Sequence, residues 1–450
     1  MMYPGGKTFI ISIAIFLISS LLWSTASAQP FKDELAANPD KAGGVFSSYI
    51  VPKEAFTKAP KGYKPFYISH YGRHGSRYHT SSGLVGSAIA PLMKADSAGI
   101  LTEEGRIVAR QLDTLLEEHE GMFGMLTDKG ASELRGIGGR MYARYPSVFN
   151  GKGRRDEVEC VSSYWPRCLM SMANLCTGIQ EHTEGLRFSY RTGPKYLDYI
   201  SMDLDTRMLS PKSRKMSEIV RKENTPQERF LCAMFTDTAK ARELIPDFLV
   251  FMDDIYTAAC ISSNTDSKPD IFSHFTTDEL YGLWAAKSDR IYYTFGISQE
   301  AGDYSSSIAK PLIADIVSKA DAAMEPGSKR AADLRFGHDV GLLPLIGTIR
   351  IKGMETRLKA AEAHEKFSSF EMMPMASNLQ MVFYRNRKGN VLVKLVYNEK
   401  ETYIPALECA TGPFYRWEDL REYLVKTAAA IPDESIVKDN GGVERTGING

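Results

Sequence analysis

The sequence predicts an α/β fold, in which a sheet flanked by helices is interrupted by an inserted, mostly α-helical domain. Three short segments rich in β-branched and aromatic residues each end in a polar turn, a pattern typical of parallel strands. Between residues 206 and 323 the strand pattern fades and helical periodicity replaces it. The 450 residues are enough for two structural units. We therefore expect an α/β domain in two parts, residues 29–205 and 324–435, around a helical insert, residues 206–323, with a flexible tail at 436–450.

The order of predicted strands and helices along the chain supports this class. Apolar patterns predict one strand that starts at Phe66, and further strands at 157–162, 332–337, 378–382 and 391–397, the last two joined as a hairpin. Apolar residues at helical spacing predict helices at 82–98, 101–118, 130–145, 168–180, 228–241, 245–259, 277–290, 306–324 and 416–430. Residues 29–60 carry scattered proline and glycine and are expected to be irregular.

Composition and charge narrow the class of function. Hydrophobic residues make up 43% of the chain and charged residues 24%, which is ordinary for a globular protein. The formal net charge is zero, which argues against a generally basic nucleic-acid binder. A basic run opens the insert and is expected to be a solvated face, with one wall of a cleft for a polyanion as the alternative. This run consists of Arg207, Lys212, Arg214, Lys215, Arg221 and Lys222.

The first 28 residues are expected to be a signal peptide. Lys7 precedes an apolar run at 9–23, and Ala26-Ser27-Ala28 supplies a small-x-small cleavage pattern. The run is short for a membrane span of about 20 residues, so cleavage is favoured over an uncleaved anchor. The mature chain is expected to begin near Gln29 and to be exported, either to the periplasm or into the medium.

Six cysteines follow this segment, and their spacing does not fix their state. Export permits disulfides, and both their pairing and the alternative of free buried thiols stay open. The spacing contains no Cys-x-x-Cys pattern, so a zinc site is not expected. The six are Cys160, Cys168, Cys176, Cys232, Cys260 and Cys409.

The loop from His70 to His79 combines two glycines, two arginines and three histidines. Glycine lets a backbone approach a ligand closely, and arginine offers a planar fork of donors to phosphate oxygens. Positive neighbours favour the neutral form of His74, and neutral imidazole can act as a nucleophile. The pattern predicts a site that holds and attacks a phosphoryl group. Two alternatives stand beside it, a solvated surface turn and a metal site built from His70, His74 and His79.

Two further polar groups follow predicted strands. His338-Asp339 comes directly after the strand at 332–337, and Arg167 follows the strand at 157–162. Alone, the pair would be a helix cap or a buried ion pair, and Arg167 a surface residue. Because open α/β sheets bind ligands at the carboxyl ends of their strands, both groups stand where a ligand site would lie.

Arg73-His74-Gly75-Ser76-Arg77 resembles the Arg-His-Gly-x-Arg signature of the histidine phosphatase superfamily. With His338-Asp339 the chain resembles the branch of histidine acid phosphatases, phytases and multiple inositol polyphosphate phosphatases, through scattered motifs over residues 64–405. The resemblance implies two-step hydrolysis of phosphomonoesters through a phosphohistidine, without a metal or other cofactor. It implies His74 as the nucleophile and Asp339 as the proton donor. The implied phosphate-binding residues are Arg73, Arg77, Arg167 and His338.

The chain departs from the patterns of this branch at two places. Tyr78-His79 stands where many acid phosphatases have Ala-Pro or Asn-Pro. The order His338-Asp339-Val340 is the acid phosphatase and bacterial phytase type, whereas inositol polyphosphate phosphatases commonly carry His-Ala-Glu. The flanking Phe336-Gly337 nevertheless resembles the inositol polyphosphate group. The departures leave the reaction class unchanged but open the choice of substrate.

The expected substrate is a small-molecule phosphomonoester, with inositol polyphosphates such as phytate favoured. The alternatives are a general acid phosphatase for sugar phosphates or nucleotides, and a non-catalytic phosphate-binding protein of the same fold. No nucleic-acid partner is expected, and the oligomeric state and the roles of His70 and His79 stay open.

Overall fold

The computed structural model describes residues 30–151, 155–200 and 210–432, and one mixed β-sheet lies at its centre. The predicted signal peptide and tail lie outside these residues. Within the described ranges the sheet has eight strands. They are β1 (Lys64–Arg73), β2 (Glu157–Ser162), β3 (Arg187–Thr192), β4 (Arg330–Gly337), β5 (Asn378–Arg385), β6 (Val391–Tyr397), β7 (Lys400–Thr402) and β8 (Phe414–Arg416).

The strand order brings three polar turns to one edge of the sheet. The order is β3-β2-β4-β1-β5-β6-β7, with β8 also paired to β6. β4 runs parallel to both of its neighbours, so that Arg73 on β1 lies opposite Gly337, and Ser162 on β2 lies opposite Phe336. The carboxyl ends of β2, β4 and β1 therefore meet side by side, as the sequence predicted. The remaining strands from β5 onward join by antiparallel pairing.

The helices largely follow the predicted positions. Three of them begin at threonine caps, where the side chains of Thr102, Thr127 and Thr276 each accept a hydrogen bond from the backbone N–H three residues further along the chain. The helices are α1 (Pro30–Ala37), α2 (Gly83–Ser97), α3 (Glu103–His119), α4 (Asp128–Arg144), α5 (Pro146–Phe149), α6 (Pro166–Gln180), α7 (Leu197–Ile200), α8 (Ser210–Asn224), α9 (Glu228–Met234), α10 (Thr238–Leu244), α11 (Phe248–Ala259), α12 (Thr277–Phe295), α13 (Tyr304–Met324), α14 (Asp339–Thr348), α15 (Ser369–Met372) and α16 (Trp417–Ala429).

Helices cover both faces of the sheet, and a separate core lies in a helical layer. Helices α4 and α6 pack on one face of the sheet. Helices α13, α14 and α16 pack on the other face. A third core is built from α1–α3 and α8–α12. The fold class is therefore the predicted one, a helix-flanked sheet with a mostly helical second body. Helix α13, which the sequence placed in the insert, packs on the sheet, and the limits of the insert stay a prediction.

Some elements were not predicted, for local reasons. Residues 30–46 form α1 and a 3₁₀-helix (Pro39–Phe46), so the expectation of an irregular lead-in was wrong there, whereas residues 47–60 are irregular as expected. β3 is an edge strand with mostly exposed side chains, so it lacks the apolar alternation that marks a strand. The predicted helix at 228–241 is two helices, because Asp237 caps α10 by accepting a hydrogen bond from Lys240 N at 3.0 Å.

The described ranges contain neither a helix fit to span a membrane nor a disulfide bond. None of the helices there combines the length and apolar character needed to cross a bilayer. All six cysteines fall in these ranges, and none of them is in a disulfide. The sulfur atoms of Cys160 on β2 and Cys176 on α6 lie 3.4 Å apart in the core.

Candidate active site

The loop after β1 lies against the start of α4, and two glycines make this approach possible. A Cβ atom on Gly75 would lie 2.6 Å from the carbonyl oxygen of Gly130. A Cβ atom on Gly130 would lie 2.1 Å from the carbonyl oxygen of Ser76. Neither position has room for a side chain, so glycine at both is what lets the loop turn beneath the helix N-terminus.

His74 lies in this loop with only 2% of its surface exposed. Its Nδ1 atom is 2.9 Å from the carbonyl oxygen of Gly75. Because a carbonyl only accepts hydrogen bonds, Nδ1 carries the ring proton and Nε2 keeps a free lone pair. Burial, followed by the positive charge of Arg73, holds the pKa of His74 well below its ordinary value. The predicted neutral imidazole is confirmed, although burial outweighs the flanking arginines as its cause.

Three arginines converge on His74 with unused donors. The Nε atoms of Arg73, Arg77 and Arg167 are buried and have no hydrogen-bond partner in the described part of the chain. Arg73 is fixed in place, because its Nη1 donates to the carbonyl oxygens of Val45 at 2.5 Å and Met373 at 2.7 Å. Burial and the charges of the other two arginines lower the pKa of Arg77 to about 9. An anion bound among these three groups would relieve their mutual repulsion.

His338 lies beside the arginines and adds a neutral imidazole to the pocket. Its ring centroid lies 5.5 Å from that of His74, with the two ring planes at 74°. The hydroxyl of Ser163 is 3.1 Å from Nε2 of His338, and Nη2 of Arg167 is 3.5 Å from Nδ1. Burial and the neighbouring charge of Arg167 lower the pKa of His338 to about 3. The imidazole is therefore neutral and can donate one hydrogen bond to an oxyanion.

Asp339 is the first residue of α14 and stands beside the arginines. Its Oδ2 lies 3.0 Å from Nη2 of Arg73, and its Oδ1 accepts a hydrogen bond from Val340 N at 3.0 Å. Burial raises the pKa of Asp339, but the positive charges of Arg73 and, less strongly, Arg77 outweigh burial and lower it overall. The carboxyl is therefore ionised when the pocket holds no anion.

His70 and His79, the other two histidines of the segment 70–79, have surroundings different from those of His74. The ring of His70 lies beneath the sheet edge, 5.4 Å from the ring of Phe336, and neither of its nitrogens has a partner among the described residues. Nε2 of His79 is bonded to the carbonyl oxygen of Ala258 at 3.0 Å. In the described ranges, no group of three or more His, Cys, Asp or Glu side chains is placed to hold a metal ion. This geometry argues against the alternative of a site built from His70, His74 and His79.

The structure adds polar residues that the sequence had not singled out. The hydroxyl of Ser171 on α6 accepts from Gly75 N at 3.1 Å and donates to the carbonyl oxygen of Arg167 at 2.7 Å. It therefore ties the loop after β1 to the turn after β2. Ser163 contacts His338 in the same way across β2 and β4. Both serines fall within four residues of Arg167, but serine in a turn carries no signal of its own in the sequence.

The edge of the sheet thus offers a neutral imidazole with a free lone pair, donors with unused N–H groups and a carboxyl group next to them. Such an edge suits transfer of a phosphoryl group from an ester, and the class of protein that it defines is a phosphomonoester hydrolase. Residues 72–398 match the sequence model of the Histidine phosphatase superfamily (branch 2). The chain belongs to this family.

Two proteins of known identity are similar to this chain in sequence. Multiple inositol polyphosphate phosphatase 1 from Gallus gallus is 25% identical over 385 residues, which are 78% of this chain and 79% of that protein. The Homo sapiens protein of the same name is 22% identical over 391 residues, 78% of this chain and 77% of that protein.

Solved structures share the fold. The multiple inositol polyphosphate phosphatase of Bifidobacterium longum superposes with a TM-score of 0.72 at 19% identity, covering 85% of this chain and 97% of that one. The phytase from D. castellii gives a TM-score of 0.64 at 15% identity, covering 90% of this chain and 88% of that one.

Proposed function

We propose that this chain is an exported acid phosphatase that removes phosphate groups from inositol polyphosphates through a phosphohistidine on His74. The observation that carries the proposal is the hydrogen bond from Nδ1 of His74 to the carbonyl oxygen of Gly75, which directs a free Nε2 lone pair away from the loop. A neutral, oriented imidazole among cationic donors is what nucleophilic attack on a phosphate ester requires.

In the first step, Nε2 of His74 attacks phosphorus and the bond from phosphorus to the ester oxygen breaks. Arg73, Arg77, Arg167 and His338 donate hydrogen bonds to the nonbridging oxygens, where charge must be balanced in the transition state. The departing alkoxide takes a proton from the carboxyl of Asp339. Proton donation is important because an alkoxide of inositol is a poor leaving group.

In the second step, a water molecule attacks the phosphorus of phospho-His74. The carboxylate of Asp339 now accepts a proton from that water, the P–N bond breaks, and inorganic phosphate leaves. Asp339 is protonated again at the end of the cycle, and His74 is neutral as at the start. The same residue thus serves as acid and then as base, as microscopic reversibility allows.

Asp339 must gain a proton before it can give one, although Arg73 holds it ionised in the free protein. A bound phosphate dianion competes for the guanidinium of Arg73 and places negative charge beside the carboxylate. Both changes raise the pKa of a carboxyl group. We infer that substrate binding itself prepares Asp339 as the proton donor, most effectively at mildly acid pH.

The substrate class rests on the named relatives. Two relatives are multiple inositol polyphosphate phosphatases, and the Bifidobacterium longum protein was also solved in complex with inositol hexasulfate. The order His338-Asp339, rather than His-Ala-Glu, leaves a general preference for sugar phosphates or nucleotides as the rival outcome of the test.

The test is phosphate release from inositol hexakisphosphate and from p-nitrophenyl phosphate at about pH 5, with chelator present, by wild type and His74→Ala. We expect wild type to hydrolyse both, the chelator to have no effect, and His74→Ala to be inactive. Full activity of His74→Ala would contradict the proposed mechanism. Hydrolysis of the small ester alone would identify a general phosphatase. Binding of phosphate without any turnover would identify a non-catalytic protein.

Export is tested separately. Expression of the full chain in a bacterial host, followed by N-terminal sequencing of the protein outside the cytoplasm, is expected to give a chain that starts at Gln29. Retention of residues 1–28 on a membrane-bound product would contradict this part of the proposal.

A further inference from the structure

Buried polar side chains contact the middle of the loop after β1 from two sides. Ser76 lies between His74 and Arg77 and is completely buried. Its backbone N–H donates to Oε2 of Glu133 at 2.8 Å. Its hydroxyl has one proton and two acceptors within reach, Oε1 of Glu133 at 2.8 Å and Oδ1 of Asn264 at 3.0 Å. The proposed mechanism uses none of Ser76, Glu133 and Asn264.

Glu133 comes from α4, the helix beneath the loop. Besides the two donors of Ser76, its Oε1 accepts from Tyr49 N at 3.0 Å. No lysine or arginine forms an ion pair with Glu133 in the described part of the chain, so three neutral donors satisfy this carboxylate. A carboxylate placed behind a cluster of arginines without pairing to any of them can fix the backbone and leave the guanidinium groups free for an anion.

Asn264 comes from the helical layer and reaches the loop from the opposite side. Its Nδ2 donates to the carbonyl oxygen of Phe46 at 2.9 Å, and its Oδ1 accepts from the hydroxyl of Ser48 at 2.6 Å. The ring of Phe46 in turn lies 5.3 Å beneath the guanidinium carbon of Arg77. The same asparagine therefore contacts the loop and the segment that supports Arg77.

We propose that Glu133 and Asn264 are positioning residues, which hold Ser76 so that His74 and Arg77 on either side of it keep the orientation required for phosphoryl transfer. The inference rests on the proposed function, because it assigns these residues to the same site. Neither residue touches the reacting atoms. Their contribution is the preorganisation of the loop, and a displacement of about 1 Å there can cost roughly a hundredfold in rate.

The first variant is Glu133→Gln, which keeps the shape of the side chain but replaces one acceptor oxygen by a donor. At least one of the three groups that donate hydrogen bonds to Glu133 then loses its acceptor. We expect kcat for p-nitrophenyl phosphate to fall about 30- to 100-fold while KM changes less than about threefold. Glu117→Gln, on the exposed face of α3, is the matched control and should behave as wild type.

A loss of folded protein would also lower the apparent kcat without changing KM. Two further measurements therefore distinguish a positioning role from a loss of folded protein. Calorimetric titration with inorganic phosphate should still give one site per chain in Glu133→Gln. In a double-mutant cycle with Arg77→Lys, the fold-losses should combine to clearly less than their product, because both changes disturb the same loop. Fold-losses that multiply, or a phosphate stoichiometry that falls with kcat, would overturn the positioning role.

Ser76→Ala and Asn264→Ala keep the inference testable if Glu133→Gln does not fold. Ser76→Ala retains the bond from its backbone N–H and should lose about tenfold in kcat. A wild-type kcat in both variants would overturn the inference. Trapping of phosphorylated His74 in the wild type, in a separate experiment, tests the proposed mechanism. Its failure would contradict that mechanism and leave the kcat comparison among the variants valid.

Discussion

Nη2 of Arg73, at the end of β1, lies 3.0 Å from Oδ2 of Asp339, at the start of α14. The contact joins two neighbouring parallel strands at the edge where the site lies. It holds the carboxylate in its ionised form. It also occupies Nη2 of a guanidinium that the proposed mechanism needs for phosphate. In the proposed mechanism, a dianionic substrate displaces this ion pair and raises the pKa of Asp339.

Asp339→Asn keeps the shape of the side chain but has no proton to give to the leaving group. We expect hydrolysis of inositol hexakisphosphate to fall by about 10²- to 10⁴-fold. Hydrolysis of p-nitrophenyl phosphate, whose leaving group needs little protonation, should fall far less. The measurement is the pair of kcat values, with Asp113→Asn on the exposed face of α3 as the control. Equal losses on both substrates would show that Asp339 does not act as the acid.

Arg167→Ala should weaken the site with little effect on stability. The residue is partly exposed, its guanidinium lies 5.2 Å from the ring of Trp165, and its buried Nε atom has no partner in the described ranges. A hydrogen bond to a charged group contributes about 1.5–3 kcal/mol, so we expect kcat/KM to fall by roughly 10- to 100-fold.

The melting temperature of Arg167→Ala should stay close to that of wild type. The control is Arg187→Ala. It removes an exposed arginine on the edge strand β3 that pairs with Asp156. If Arg167→Ala kept its wild-type kcat/KM, the residue would belong to the surface of the turn after β2 and not to the phosphate pocket.

Gly75→Ala should disturb the loop through its backbone. The added Cβ would meet the carbonyl oxygen of Gly130 and the Cδ2 atom of Leu134, each at 2.6 Å. Since the Gly130 carbonyl belongs to a helix, the loop must move instead, and His74 moves with it. We expect kcat to fall at least tenfold, with a lower melting temperature. Gly83→Ala, where a Cβ meets nothing within 4 Å, is the control and should be neutral in both measurements.

The buried His70 should make stability depend on pH. Burial and the charge of Arg335 lower its pKa to about 3, so the folded protein keeps it neutral while the unfolded chain binds a proton below its ordinary pKa. Stability is therefore fully present at neutral pH and is lost as pH falls from about 6.5 toward 3. The loss from this one group is about 1.4 kcal/mol per pH unit.

His70→Leu removes the titrating group from this buried position. Its free energy of unfolding, measured in urea at several pH values from 7 to 4, should fall less steeply than that of wild type. The exposed His182 provides the control, because its replacement by leucine should leave the steep dependence in place. A slope in His70→Leu equal to that of wild type would contradict the assignment.

The sequence by itself determined the class of fold, five of the eight strands and the identities of the polar groups at the ends of β1, β2 and β4. The β1 segment and its Arg-His-Gly-x-Arg loop are contiguous, so periodicity and composition over about ten residues reveal them. His338-Asp339 directly follows β4, and Arg167 follows β2, which made their meeting at one sheet edge predictable from the rule for parallel strands. A neutral His74 was also predicted, from the arginines beside it, whereas in the structure burial is the larger cause.

The tertiary structure alone decided which groups support this edge. Glu133, Asn264 and Tyr49 meet around Ser76 although they are far apart in the chain, and no local pattern marks any of them. The same holds for the ion pair between Arg73 and Asp339, which lowers the pKa of a residue expected to be an acid. Contacts of this kind depend on how helices and strands pack. Side-chain periodicity reports which face of an element is buried, but not which distant residue lies against it.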